Sequence, residues 1–115
     1  MNVQNYIQGK WMNGEGTELE LFNAITGEQL GTTSSLGIDF ESVLNYGRKL
    51  GGTALRSMTF QERGRMLKAL ALHLISIKEK FYTLSAATGA TRIDSWIDIE
   101  GGIGNLFANA SLRKQ

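Results

Sequence analysis

The chain has 115 residues, a net charge of +1 and no cysteine. This length suits a single domain, and the near-neutral charge argues against a nucleic-acid partner. The absence of cysteine excludes disulfides, thiolate metal sites and a cysteine nucleophile within these residues. The first residues lack the basic and apolar regions of a signal peptide, and no apolar run reaches the ~18 residues of a membrane span. We therefore expect a cytoplasmic protein with no membrane and no nucleic-acid partner.

The first part of the sequence predicts β-structure, with strands between about residues 5 and 33. Residues 6–11 are predicted as one short strand, followed by a tight turn at Asn13-Gly14. Residues 18–21 alternate polar and apolar side chains, which is typical of a half-buried strand. Thr26-Gly27 predicts a second turn, and residues 29–33 a third strand. The pattern favours a β-hairpin or meander.

The rest of the sequence predicts three helices, at about 38–50, 59–88 and 92–112. Gly51-Gly52 is predicted to end the first helix. The second is long, at roughly 43 Å, and its apolar residues recur every seven positions: Phe60, Leu67, Leu74 and Phe81. Thr59 and Glu62 have the spacing of a capping box, and Gly89 suits a left-handed C-terminal position. The predicted fold class is an α+β fragment of an α/β protein, a β-hairpin or meander followed by three helices.

Two of the predicted helices have faces that the rest of the chain does not obviously cover. Residues 70–75 are apolar around most of the helix, whereas a helix at the edge of a small domain should have a polar back. In the third helix Gly101, Gly102 and Gly104 each cost about 1 kcal/mol relative to Ala, which suits close approach by another backbone or a ligand. We expect self-association through exposed helix faces, with four main contributors: Leu70, Leu72, Ile75 and Ile77.

The candidate chemical motifs each have a simpler structural explanation. Residues 47–52 have the glycine spacing of a phosphate-binding loop but lack its lysine, so a helix terminus is favoured. Residues 102–104 lack the third glycine of a dinucleotide fingerprint. His73, the single histidine, has no metal-ligand companion and is better explained as a residue flanking the apolar seam. Three acidic residues surround Trp96 and are best explained as a solvated helix face: Asp94, Asp98 and Glu100. The sequence therefore predicts no catalytic, cofactor-binding or metal-binding residues.

Several segments resemble the aldehyde dehydrogenase superfamily. Residues 6–11 (YIQGKW) and 22–30 (FNAITGEQL) look like its opening hairpin, "xIxGxW" followed by "NPATGE", with Ala24 in place of the usual proline. Residues 54–63 and 84–89 are similar to the passages that begin and close its second helix. Residues 54–60 (ALRSMTF) and 94–104 (DSWIDIEGGIG) look like the phenylacetic acid degradation bifunctional branch (PaaZ type). In that branch a hydratase-type module that opens a CoA-linked oxepin ring is fused to the dehydrogenase.

The resemblance implies that residues 1–115 are the N-terminal segment of an incomplete NAD(P)-binding domain. The dinucleotide-binding strands, nucleophilic cysteine, general-base glutamate, oxyanion asparagine and oligomerisation arm would then lie beyond Gln115. The parent enzyme would use NADP or NAD to oxidise a CoA-linked aldehyde substrate, and this segment alone would bind no cofactor and be inactive. Glu100, Gly101 and Gly104 would flank the mouth of the substrate tunnel, although close helix packing also explains the glycines. From the residues alone, a free-standing helical interaction or self-association module remains the alternative.

Overall fold

The structure is a computed structural model that describes residues 1–114. It divides into two compact units, Met1–Arg56 and Ser57–Gln115. Gln115, which ends the predicted segment, lies outside the described residues. The first unit contains short strands and a helical segment, and the second is helical. The predicted α+β class is therefore confirmed.

The strands of the first unit form two small sheets. The strands are β1 (Asn2–Val3), β2 (Asn5–Ile7), β3 (Lys10–Met12), β4 (Leu19–Phe22) and β5 (Gln29–Thr33). In the first sheet β5 lies between β1, to which it is parallel, and β4, to which it is antiparallel. The second sheet is the antiparallel hairpin β2–β3, in which Tyr6 lies opposite Trp11.

The hairpin corrects two predictions. Residues 6–11 are not one strand, because Gln8 and Gly9 form a two-residue turn with φ values of 51° and 80°, the left-handed pair that a type I′ hairpin requires. The predicted turn at Asn13-Gly14 is also wrong, since these residues run on towards β4 without one. Gly14 is needed for a different reason: a Cβ there would collide with the carbonyl oxygen of Ser34.

The predicted second turn and third strand are confirmed. The Asn23 side-chain oxygen accepts hydrogen bonds from the backbone N–H groups of Ile25, at 2.9 Å, and Thr26, at 3.2 Å. Gly27 then adopts a φ of 73° and leads into β5. Asn and Gly act here as turn residues are expected to, by a side-chain acceptor and by a left-handed backbone.

The predicted end of the first helix at Gly51-Gly52 is wrong. Helix α1 (Phe40–Tyr46) starts after Asp39, whose carboxylate accepts from the Ser42 N–H at 3.1 Å. It continues through a π-helical turn (Gly47–Gly51) into α2 (Gly52–Ser57). Gly52 keeps a right-handed φ of −62°, and its N–H donates to the Gly47 carbonyl. Two adjacent glycines permit a left-handed stop but do not impose one.

The second unit consists of α3 (Phe60–Ser76), α4 (Lys78–Ala86), α5 (Arg92–Ser111) and a final 3₁₀ turn (Leu112–Lys114). Both predicted starts are confirmed by capping boxes, Thr59 with Glu62 and Thr91 with Asp94. Gly89, with φ 84°, is left-handed as predicted. The α5 bounds also match the predicted helix at about 92–112.

The predicted continuous helix over residues 59–88 is wrong at one position. Ile77, with φ −114° and ψ 11°, separates α3 from α4. The Ser76 hydroxyl donates to the His73 carbonyl at 2.7 Å, the acceptor that the Ile77 N–H would use in a continuous α-helix. That N–H instead bonds to Leu74, at 3.2 Å. The serine hydroxyl therefore occupies, at the break, the acceptor that a continuous helix would use.

The core of the second unit lies where α3 packs on α5. Ala71 of α3 and Ile103 and Ala110 of α5 are buried, as is Gly64. A Cβ on Gly64 would lie 2.8 Å from the Arg113 Cβ and 3.2 Å from the Ala110 carbonyl oxygen, so the small residue permits this close approach. None of the helices among residues 1–114 has the length and apolar content to cross a membrane.

Candidate functional site

Glu100, one of the three predicted site residues, is held against α4. Its Oε1 atom accepts hydrogen bonds from Lys78 Nζ, at 2.9 Å, and from the Tyr82 hydroxyl, at 2.8 Å. Lys78 and Tyr82 lie one helical turn apart on α4 and therefore reach the same side of α5. The Glu100 side chain keeps 24% of its exposure. The carboxylate thus links the two helices.

Arg92 extends this network from the start of α5. Its guanidinium carbon lies 3.6 Å from the centre of the Tyr82 ring, within the range of a cation–π contact. The same guanidinium pairs with Glu79, the nearest N–O distance being 3.3 Å. Tyr82 itself is buried. Glu79 therefore pairs with Arg92 and Glu100 with Lys78, while Tyr82 donates its hydroxyl to Glu100 and lies against the Arg92 guanidinium.

The network shifts the pKa values of two of its members. The hydrogen bond from Lys78, and then that from Tyr82, lower the pKa of Glu100 below its ordinary value. Desolvation, followed by the hydrogen bond to Glu100, raises the pKa of Tyr82. Glu100 is therefore ionised and Tyr82 neutral at pH 7. A carboxylate fixed in its charged form by two donors is poorly placed to transfer protons.

Gly101, the second predicted site residue, lies in an open groove of about 450 Å³ along α5. The groove has two acidic side chains, one isoleucine and an amide around its glycine floor: Asp94, Ile97, Asp98, Gly101, Gly102 and Asn105. Glu100 and Gly104 are not among its lining residues. The structure therefore places one of the three predicted tunnel-mouth residues in this groove.

The glycines of α5 are not explained by packing within the described residues. A Cβ added at Gly101, Gly102 or Gly104 would meet no atom within 4 Å among the atoms outside its own helical turn. Gly64 gives the opposite result, since it lies at a helix crossing. Close helix packing, the alternative explanation for the three glycines, is thus not realised among residues 1–114. Their role at a tunnel mouth stays a prediction.

The rejected motifs lie in helical backbone. Residues 47–52 belong to the π-helical turn and the start of α2, and residues 102–104 lie in the middle of α5. A dinucleotide site needs a glycine-rich loop between a strand and a helix N-terminus, and residues 1–114 contain no such unit. These residues therefore do not fit NAD or NADP. His73 is exposed, and no group of metal-binding side chains occurs in this part of the chain.

The sequence did not single out Lys78, Tyr82 or Arg92. A spacing of four residues between Lys78 and Tyr82 shows that they share a helix face, which is a signal present in the sequence. Their partner Glu100, however, is 22 residues from Lys78 and on another helix. Only the packing of α4 on α5 identifies it, so this contact could not be read from local spacing.

One curated protein of stated activity is similar to this chain. Over 104 residues the chain is 36% identical to 3,4-dehydroadipyl-CoA semialdehyde dehydrogenase from Aromatoleum evansii. The match covers 90% of this chain and 20% of that protein, so the chain spans about a fifth of the length of this relative. No family model matches the chain. The resemblance to the aldehyde dehydrogenase superfamily, predicted from short motifs, is confirmed along nine-tenths of this chain.

Proposed function

We propose that this chain is the N-terminal part of an NAD(P)-dependent aldehyde dehydrogenase that oxidises a ring-opened CoA semialdehyde in aromatic catabolism. The observation that carries the proposal is the 36% identity to a CoA-semialdehyde dehydrogenase over 90% of the chain. The proposal includes a location in the cytoplasm. It also includes a ring-opening hydratase module in the same polypeptide, as in the phenylacetic acid degradation branch.

In this proposal the role of residues 1–114 is structural. Aldehyde oxidation of this type needs a thiolate nucleophile and a bound nicotinamide cofactor. The chain has no cysteine, and its described residues do not fit a dinucleotide. The remaining part of the enzyme would supply both. The network of Lys78, Tyr82 and Glu100 would keep α4 and α5 in a fixed arrangement for that part to pack against.

Within the whole enzyme, we place Glu100, Gly101 and Gly104 near the entrance for the CoA-linked substrate. The open glycine positions support this, because side chains are absent where α5 has space around it. Replacing Gly101 or Gly104 by Leu in the full-length enzyme should raise KM for the CoA semialdehyde and spare a small aldehyde. Equal losses with both substrates, together with a lower melting temperature, would contradict this placement.

Two assays test the proposed function. The full-length natural protein should reduce NADP or NAD in the presence of a CoA semialdehyde, while the 115-residue chain should show neither this activity nor tight cofactor binding by calorimetry. Saturable micromolar binding of NADP by the 115-residue chain would contradict the structural role. A full-length protein without dehydrogenase activity on any aldehyde would contradict the proposal itself.

The second candidate function is a free-standing helical interaction module without catalysis. The exposed apolar side chains of α3 favour it, because exposed apolar patches on a protein often mark interaction sites. A natural reading frame that stops after Gln115 would support this candidate. A frame continuing into a cysteine-containing dehydrogenase sequence would support the first.

A further inference from the structure

The pair Asn13-Gly14, predicted as a turn, lies instead in an irregular segment of the first unit. This segment follows the end of β3 at Met12 and precedes β4. The contact with Ser34 explains why residue 14 is glycine, but it gives no role to the asparagine. Asn13 is exposed, and it is the one asparagine of the chain that is followed by glycine.

An asparagine followed by glycine can react with its own backbone. The backbone nitrogen of the following residue attacks the carbon of the asparagine side-chain amide and closes a succinimide ring. A side chain on the following residue hinders this approach, and glycine has none. A hydrogen bond from the attacking N–H would have to break first. The Gly14 N–H has no backbone acceptor among residues 1–114, so no such bond opposes the reaction at Asn13.

The Gln4 side chain supplies a donor at the reacting amide. Its Nε2 atom donates to Asn13 Oδ1 at 3.1 Å. Negative charge develops on this oxygen when a nucleophile adds to the amide carbon, and a hydrogen bond there stabilises that charge. Asn5, in the same unit, differs: its Nδ2 atom, the group that would have to leave, donates to the Ser34 carbonyl at 2.7 Å. The surroundings of Asn13 therefore favour the reaction.

We propose that Asn13 is a site of spontaneous deamidation in the folded chain, assisted by the Gln4 side chain. Hydroxide from the solvent removes the proton of the Gly14 N–H, and the nitrogen forms a bond to Asn13 Cγ. The Cγ–Nδ2 bond then breaks. Nδ2 leaves as ammonia after taking a proton from water, which restores the hydroxide. This modification goes beyond the proposed dehydrogenase function and does not depend on it.

Water then opens the succinimide ring at one of two bonds. Cleavage between Gly14 N and Asn13 Cγ gives ordinary aspartate. Cleavage between Gly14 N and the Asn13 backbone carbonyl carbon gives isoaspartate, whose main chain is one carbon longer. The next residue is fixed, because the Glu15 N–H donates to the Leu36 carbonyl at 2.8 Å and its carbonyl accepts from Ser34 Oγ at 3.1 Å. A longer main chain would strain these bonds, so the folded chain should give a smaller isoaspartate share than the unfolded chain.

Incubation of the 115-residue chain at pH 7 and pH 8, followed by peptide mapping with mass spectrometry, tests the modification. Asn13 should gain about 1 Da, while Asn5 and Asn23, neither of which precedes a glycine, keep their mass. The rate should rise about tenfold between the two pH values, because the ionised fraction of the Gly14 amide rises by that factor. A gain at Asn13 no faster than at Asn5 or Asn23, or a rate independent of pH, would overturn the inference.

The variant Gln4→Ala tests the assistance. Gln4 is exposed and makes no other hydrogen bond among residues 1–114, so the fold should be retained. Deamidation of the folded variant should be about two- to fivefold slower than that of the wild type. In guanidinium chloride, where the Gln4–Asn13 bond is absent, the two rates should be equal.

Gln29→Ala is the matched control, because Gln29 is an exposed glutamine of the same unit whose amide donates to Glu20, at 3.3 Å. It should leave the deamidation rate of Asn13 unchanged. Equal slowing by the two variants, or no slowing by Gln4→Ala, would overturn the role of Gln4. Electron-transfer fragmentation distinguishes aspartate from isoaspartate at position 13. An isoaspartate share as large in the folded chain as in guanidinium chloride would overturn the proposed direction of ring opening.

Discussion

Replacing Gly101 and Gly64 by alanine should change the stability of the second unit in opposite directions. Both glycines lie within helices of that unit. In each case alanine gains about 1 kcal/mol of helix propensity. At Gly101 the new Cβ meets nothing within 4 Å, so the full gain should appear. The expected result for Gly101→Ala is a free energy of unfolding about 1 kcal/mol higher than that of the wild type.

At Gly64 the new Cβ would lie 2.8 Å from the Cβ and Cδ atoms of Arg113, and 3.2 Å from the Ala110 carbonyl oxygen. The first atom of a side chain and a backbone oxygen cannot move away without shifting the helix crossing. Overpacking of this kind costs about 1–3 kcal/mol, which exceeds the gain in propensity. Gly64→Ala should therefore be destabilised by about 1 kcal/mol.

Urea unfolding followed by far-UV circular dichroism measures both changes. With a slope of about 1–3 kcal/mol/M, each variant should move the midpoint by roughly 0.3–1 M, in opposite directions. A stabilised Gly64→Ala would show that the α3–α5 crossing is looser than described. A destabilised Gly101→Ala would show that another surface covers the glycine groove of this chain, and would refute the argument that the groove is open.

Three further changes test the caps and the network between α4 and α5. Thr59→Ala removes the acceptor for the N–H of Glu62 at 3.2 Å and should cost about 1 kcal/mol, measured by urea unfolding against a Thr59→Ser control. Because the folded-state pKa of Glu100 is lowered, its charge stabilises the fold above the ordinary pKa, and this contribution is lost as pH falls through the folded pKa. Glu100→Gln should therefore be less stable than the wild type at pH 7, and the difference should shrink on acidification; a difference independent of pH would contradict the role of the charge. The pKa of Tyr82 is raised above its ordinary value of 10.0. The neutral Tyr82 hydroxyl therefore stabilises the fold below pH 10.0, and this stabilisation is lost as pH rises through the folded pKa. Tyr82→Phe should thus lose less stability than the wild type in alkaline solution.

The features predicted correctly from the sequence are those set by neighbouring residues. The capping box at Thr59 needs only a hydroxyl and a carboxylate three residues apart. The turn after Asn23 likewise depends on local hydrogen bonds. Each of these signals lies within one turn of chain, so the sequence suffices to locate it.

The incorrect predictions involve choices that local sequence leaves open. Ser76 can bond to the His73 carbonyl or leave it to the Ile77 N–H, and the structure adopts the first. The pair Gln8-Gly9 forms the hairpin turn although Gln is an uncommon residue at φ > 0. Asn13-Gly14, a stronger turn signal, is instead used for close approach to Ser34. At Gly14 a contact with Ser34, distant in the sequence, decides; at Ser76 two local hydrogen bonds compete and the sequence does not say which forms.

For the candidate site, the family resemblance could be predicted but the surroundings of its residues could not. Short motifs identified the superfamily, and the semialdehyde dehydrogenase similarity confirms it. The resemblance places Glu100 at a tunnel mouth, and the structure adds that Lys78 and Tyr82 hold its carboxylate against α4. That pairing depends on the packing of two helices and has no local signature.

The length of the natural polypeptide tests the central claim most directly. Mass spectrometry of the protein captured from its native cells, with an antibody raised against residues 1–115, gives this length without assuming any activity. If the chain is part of a CoA-semialdehyde dehydrogenase, the captured protein should be at least about 4.5 times as long as the present chain, since the 104 matched residues cover 20% of the relative and a fused hydratase module would add to that length. A captured protein of 12.6 kDa, the mass of the 115 residues, would contradict the claim and favour the free-standing module.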